Sequence, residues 1–172
     1  MSTVLICVSI AFAIYLIYNG AALRLFGVPE SLSNTFYLYN DKKKHLGILF
    51  PIMMVSMAGL LLPAWLEISA LSSLQFTAFL AAAGIVFTGS APAFKSNDLE
   101  KKVHTISALV AAVFALLWVI FVSKLWFIIL IWLAVVALIA FITKTIKSSY
   151  IYWLETVAFM STFTSILFFL LA

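Results

Sequence analysis

Six apolar stretches of near-membrane length run through the chain, at about 2–22, 46–63, 71–91, 103–122, 125–143 and 151–171. A spanning helix needs about 20 mainly apolar residues. The pattern therefore predicts an all-α polytopic membrane protein, a bundle of six transmembrane helices in one domain covering residues 1–172. Val122-Ser123-Lys124-Leu125 leaves almost no loop between the fourth and fifth stretches, which predicts antiparallel neighbours there. The gap after the first stretch is longer. Within it Pro29 and Glu30 suit a helix's first turn, and Leu32, Phe36 and Tyr39 share a face at helical spacing, which predicts a short interfacial or partly re-entrant helix.

Polar residues then orient the bundle. Nine of the ten Lys/Arg residues fall in alternate gaps: Arg24, Lys42, Lys43 and Lys44, then Lys95, Lys101 and Lys102, then Lys144 and Lys147. Only Lys124 lies in another gap. Basic short loops remain cytoplasmic, so both termini are expected outside. The first stretch has no basic segment before it and its charge follows it, which favours a retained helix over a cleaved signal peptide.

Faces along the stretches predict how the helices meet. Thr77, Ala81, Gly84 and Thr88 line one face of the third, and Ser107, Ala108, Ala111 and Ala115 one face of the fourth. Small residues let membrane helices approach closely, so these two are expected to be central. The fifth, rich in Ile and Leu, is expected at the periphery. Trp65, Trp118, Trp126 and Trp153 lie near stretch ends and read as headgroup-level anchors, while the deeper Trp132 calls for a packing partner. Pro51 and Pro92 are candidate kink or termination points.

Composition narrows the class further. The chain is 66% hydrophobic and 9% charged, with a mean hydropathy of +1.22, against about 45–50% apolar and about 25% charged for soluble domains. The net charge of +4 sits in short loops, so it indicates topology rather than nucleic-acid binding. Cys7, the only cysteine, excludes an internal disulfide. Short loops without a large ectodomain suit a bacterial inner (cytoplasmic) membrane. Membrane lipids are the expected partners, with a homo-oligomer possible through helix faces. Phosphate loops, nucleophile elbows and zinc-protease motifs are all absent.

Ionisable groups inside spans are expensive and often functional. Glu155 lies about one turn inside the last stretch, on a stripe with Ala158, Thr162 and Ser165. Its alternative is a carboxylate that snorkels to the interface or pairs with Lys144 or Lys147. His104 opens the fourth stretch and has the chemistry for metal ligation or proton transfer, or stands as an interfacial histidine beside Lys101 and Lys102. His45 reads as part of a headgroup-facing cation cluster. Ser31, Ser33 and Asn34 suit caps and turns. Arg24 is read as a topology determinant, and Glu67, Asp98 and Glu100 as solvated.

Ser31-Leu32-Ser33, Phe36-Tyr37 and Asp41 together resemble the opening motif of a broad group of uncharacterised small six-helix bacterial membrane proteins, in which Ser-Ile-Ser and Tyr-Tyr precede an Arg-Asp step. Ala83-Gly84-Ile85 leading to Ala91-Pro92, His104 with Ala108, and Glu155 resemble that group's later signatures. The group is distantly similar to the CREST superfamily of alkaline ceramidases and progestin/adipoQ receptors, seven-helix proteins with a zinc site of histidines and an acidic residue, plus a serine. Carried over, the resemblance implies a site of Ser33, Asp41, His104 and Glu155, with Asp41, His104 and Glu155 as metal ligands and zinc as the cofactor. The chain departs by having six stretches, and by Glu155 and Phe159 where a His-x-x-x-His pair is expected. With only His45 and His104 present, a three-histidine site is impossible, although three protein ligands of mixed type suffice for catalytic zinc. Three functions follow as expectations: binding of a lipid or small ligand at a polar cluster near the cytoplasmic side, metal-dependent hydrolysis of a lipid amide or ester, and proton-coupled transport through Glu155.

Overall fold

The computed structural model describes residues 3–171, so the expected start of the first span at residue 2 lies outside the described residues. Among the described residues all regular structure is helical. Helix α1 runs Thr3–Phe26, α2 Thr35–Lys42, α3 Leu49–Ile68, α4 Phe76–Ser90, α5 Asp98–Leu117, α6 Trp126–Ile142 and α7 Tyr150–Leu171. A 3₁₀ turn at Leu46–Ile48 extends α3, and a π-helical turn at Trp118–Val122 extends α5. Four helical segments are long and apolar enough to cross a membrane: Thr3–Phe26, Leu46–Ile68, Asp98–Val122 and Tyr150–Leu171. Helices α4 and α6 are shorter, with 15 and 17 residues.

Helix ends follow local chemistry. Gly27 has φ +73°, and its N–H donates to the Leu23 carbonyl at 3.0 Å. This left-handed closure, natural to glycine, ends α1. Pro51 falls in the first turn of α3, where an N–H would have no helical partner anyway, so it does not kink the helix. Asn97 caps α5 by accepting from the N–H groups of Leu99 and Glu100. The helix expected in the first connection starts later than Pro29 suggested. Ser31 Oγ accepts from the Asn34 N–H at 3.1 Å, and successive i→i+3 bonds carry residues 31–37 into α2.

Small residues decide the central packing. A Cβ built on Gly84 would lie 2.6 Å from the Ala111 nitrogen and 2.8 Å from the Ser107 carbonyl oxygen, so α4 and α5 touch backbone to backbone. Gly89 brings α4 against a side chain of α3, where a Cβ would lie 2.8 Å from Met54 Cβ. Helix α3 packs between α1 and α4, α4 packs on α5, and α7 closes the ring against α5, α3 and α1. Helix α6 lies outside, chiefly along α7, and it meets the α5 segment mainly at the π-helical end. The expected neighbours therefore meet near their joined ends rather than along their length. A tight turn joins two helix ends, whereas helix-long contact needs matched faces, and the small face of α5 is already occupied by α4.

The tryptophans also depart from expectation. Trp65 and Trp118 are both 0% exposed and meet edge to face, with Trp118 Nε1–H donating to Ser69 Oγ at 2.7 Å. Trp153 is buried and donates to Thr145 Oγ1 at 3.0 Å. Among these four, Trp126 alone is exposed, at 55%. Trp132 gains its packing partner through a 3.0 Å bond to Thr164 Oγ1, which pins α6 to α7.

Candidate functional site

The docking of one loop makes the site. Residues 27–34 fold over the N-terminal end of α7, where Tyr152 N–H donates to the Glu30 carbonyl at 3.2 Å and Ser149 Oγ to the Val28 carbonyl at 3.3 Å. One turn further along α7, Glu155 Oε2 accepts the Leu32 N–H at 2.6 Å. Neither Lys144 nor Lys147 pairs with this carboxylate. Among the described residues the one ion pair joins Lys95 and Glu30, at 3.4 Å.

Lys95 holds the other side of the loop. Its Nζ donates to Asn34 Oδ1 at 2.7 Å and lies 5.3 Å from the Tyr37 ring centroid, while its backbone N–H donates to Tyr37 Oη at 2.6 Å. The α4–α5 connection therefore clips the segment that carries Leu32 and Ser33.

Behind this loop lies a cavity of about 50 Å³ between α3, α4, α5 and α7. Leu32, Ser33, Phe50, Thr88, Ala108 and Glu155 form one end, and Leu61, Trp65, Ala115 and Thr162 the other. The seven-residue step from Ala108 to Ala115 corresponds to about 10 Å along α5. The walls are almost wholly apolar, and among the described residues Glu155 supplies the only charged side chain in the lining. Ala108, Ala112, Glu155 and Phe159 are partly exposed, which places the opening between α5 and α7, sideways from the bundle.

The structure brings Ser33 and Glu155 to the same cavity, but it separates the rest of the expected set. Ser33 Oγ is 3.1 Å from Ser31 Oγ, with no imidazole beside it to act as a base. His104 is only 5% exposed. Its Nδ1 lies 3.0 Å from the Ala91 carbonyl and 3.1 Å from the Thr88 carbonyl, and its ring stacks on Phe94 at 4.4 Å. Carbonyls only accept, so Nδ1 must carry the proton. His104 thereby caps the C-terminal end of α4. Ser107 and Thr88 complete this junction, with their hydroxyls 3.0 Å apart.

Asp41 is exposed at the end of α2 and makes no hydrogen bond or ion pair among the described residues. His45 is likewise exposed and holds a left-handed backbone at φ 75°. Among the described residues no group of three His, Cys, Asp or Glu side chains is placed to hold a metal ion. The structure does not bring the expected zinc set of Asp41, His104 and Glu155 together: Asp41 is exposed at the end of α2, His104 lies in the α4–α5 junction and Glu155 lines the cavity. Residue patterns also missed the partner of Glu155, since the Leu32 amide carries no side-chain signal. The alanines of α5 were visible, but as a single packing face. Ala111 serves both the α4 contact and the cavity, Ala115 also lines the cavity, and Ala108 and Ala112 are its partly exposed α5 residues.

A scan of known protein families and searches of curated proteins and solved structures give no match to this chain. Fold and composition therefore define the class: an all-helical membrane protein with at least four helices suited to cross the bilayer.

Proposed function

We propose that this protein binds an amphipathic, lipid-like ligand that enters sideways between α5 and α7, places its apolar body along the alanines of α5, and sets its polar end at Glu155 and Ser33. One observation carries the reading: an almost wholly apolar cavity that ends on a lone carboxylate and has partly exposed residues of α5 and α7 in its lining. Ligand sites are commonly apolar clefts with a few placed polar groups, and ionisable residues at membrane depth mark such sites. The cavity has room for only a few water-sized groups, so α5 and α7 must separate slightly as the ligand enters.

We further propose that all six apolar helices cross a bacterial inner membrane, with the termini outside and the Glu155 end of the cavity cytoplasmic. The alternating basic loops support this orientation. The metal-dependent hydrolase reading lacks an assembled ligand set, and no step is assigned to it.

The test uses protein in lipid nanodiscs titrated with decyl-chain amphiphiles, followed by native mass spectrometry. Ala112→Phe, at the outer edge of the cavity, is expected to weaken binding at least about tenfold, equivalent to about 1.4 kcal/mol. Unchanged binding in this variant would overturn the reading.

A further inference from the structure

Within the cavity, the Glu155 carboxylate has a single partner. Oε2 accepts the Leu32 N–H, and no other hydrogen bond or ion pair reaches the group among the described residues. Among the described residues no Lys, Arg or His lines the cavity. The nearby basic groups are engaged elsewhere: Lys95 with Asn34 and Glu30, and His104 with the carbonyls that end α4. A carboxylate in a low-dielectric site without a counter-charge is costly.

We propose that the ligand supplies the missing charge: a lipophilic cation, a long-chain amine or quaternary ammonium, whose head pairs with Glu155 and whose chain runs from Ala108 toward Ala115. This rests on the binding reading above and sharpens its ligand class. Phe50 and Phe159 line the cavity, and their ring faces suit an ammonium group. Ser33 Oγ adds an acceptor to the same end. A fatty acid or phosphate head would instead set two negative charges together, and a neutral alcohol would leave the carboxylate uncompensated.

Four probes of equal chain length separate these cases: decylamine, decyltrimethylammonium, decanol and decanoate, each titrated against the protein in zwitterionic nanodiscs. The two cations are expected to bind at least about tenfold more tightly than decanol or decanoate. The protein's net charge of +4 repels cations in general, so non-specific attraction would not produce that ranking. Glu155→Gln keeps an acceptor for Leu32, and it is expected to bring the cations to within about threefold of decanol. Decanol or decanoate binding as tightly as the cations, or a cation preference that survives Glu155→Gln, would overturn the proposal. If those neutral or anionic probes still lost binding in Ala112→Phe, the cavity reading would stand and only the charge assignment would fall. Absence of binding by every probe would overturn both. Should Glu155→Gln not fold, the wild-type ranking of the four probes decides alone.

Discussion

Both oxygens facing His104 Nδ1 are main-chain carbonyls at the end of α4, groups that a helix terminus leaves without partners. Removing the imidazole strands them in a buried junction and takes away the stacking surface of Phe94. His104→Ala is therefore expected to lower stability by about 1–3 kcal/mol, read as a fall in thermal midpoint in nanodiscs. A wild-type midpoint in that variant would show that His104 does not cap α4. Ser161 offers the opposite case. Its hydroxyl is fully buried with no hydrogen-bond partner among the described residues, so Ser161→Ala is expected to be neutral or to stabilise by up to about 1 kcal/mol. A clear destabilisation would mean that the hydroxyl finds a partner in the membrane. Glu155 was legible at this scale because a carboxylate one turn inside an apolar helix stands out. Its partner was not, since 123 residues separate Leu32 from Glu155 and a backbone amide has no sequence signature. The tryptophans misled for a related reason: proximity to a helix end fixes depth, but not whether the ring faces lipid or a neighbouring helix.

Glycines separate packing faces from free faces among the helices. Gly84 has no room for a methyl group against the α5 backbone, whereas a Cβ on Gly59 of α3 would meet nothing within 4 Å. Gly84→Ala is expected to cost about 1–3 kcal/mol through overpacking. Gly59→Ala is expected to stabilise by about 0.5–1 kcal/mol through reduced backbone freedom. Equal effects in thermal unfolding would contradict the assigned faces. The α4–α5 pairing was readable because Thr77, Ala81, Gly84 and Thr88 recur at helical spacing opposite a matching stripe. The ring closure by α7 was not. Helix α7 carries bulky and small residues on every side, with Tyr152, Trp153, Val157, Ser161, Phe163 and Ile166 all buried, so no single stripe announces its neighbours. Periodicity likewise placed a helix near Pro29, yet the ladder of i→i+3 bonds delays α2 to Thr35.

Across the whole molecule, the alignment of helix ends supports the proposed six crossings. The C-terminal end of α4 lies beside the start of α3, where a Cβ on Gly89 would sit 2.8 Å from Met54 Cβ, and beside the start of α5, where Thr88 meets His104. Helices α3 and α5 therefore begin at the same end of the bundle, and α4 must carry the chain back between them. Glu155 and Ala108 line one cavity end, so α7 begins there too, and α6 must make the second return. At about 22 and 26 Å, α4 and α6 fall short of the roughly 30 Å hydrocarbon core. If both cross as proposed, local thinning and the adjoining turns would accommodate the mismatch at modest cost. In a Cys7→Ser background, Lys43→Cys, Lys101→Cys and Lys147→Cys are expected to react with a membrane-impermeant maleimide only from the cytoplasmic side. Leu71→Cys and Lys124→Cys are expected to react only from the opposite side. Labelling of Lys124→Cys and Lys43→Cys from one side would exclude six crossings, and it would also detach the Glu155 end of the cavity from the cytoplasmic leaflet. Opposite-side labelling would leave Lys124 as the one basic residue on the outer face, the arrangement that the positive-inside bias favours.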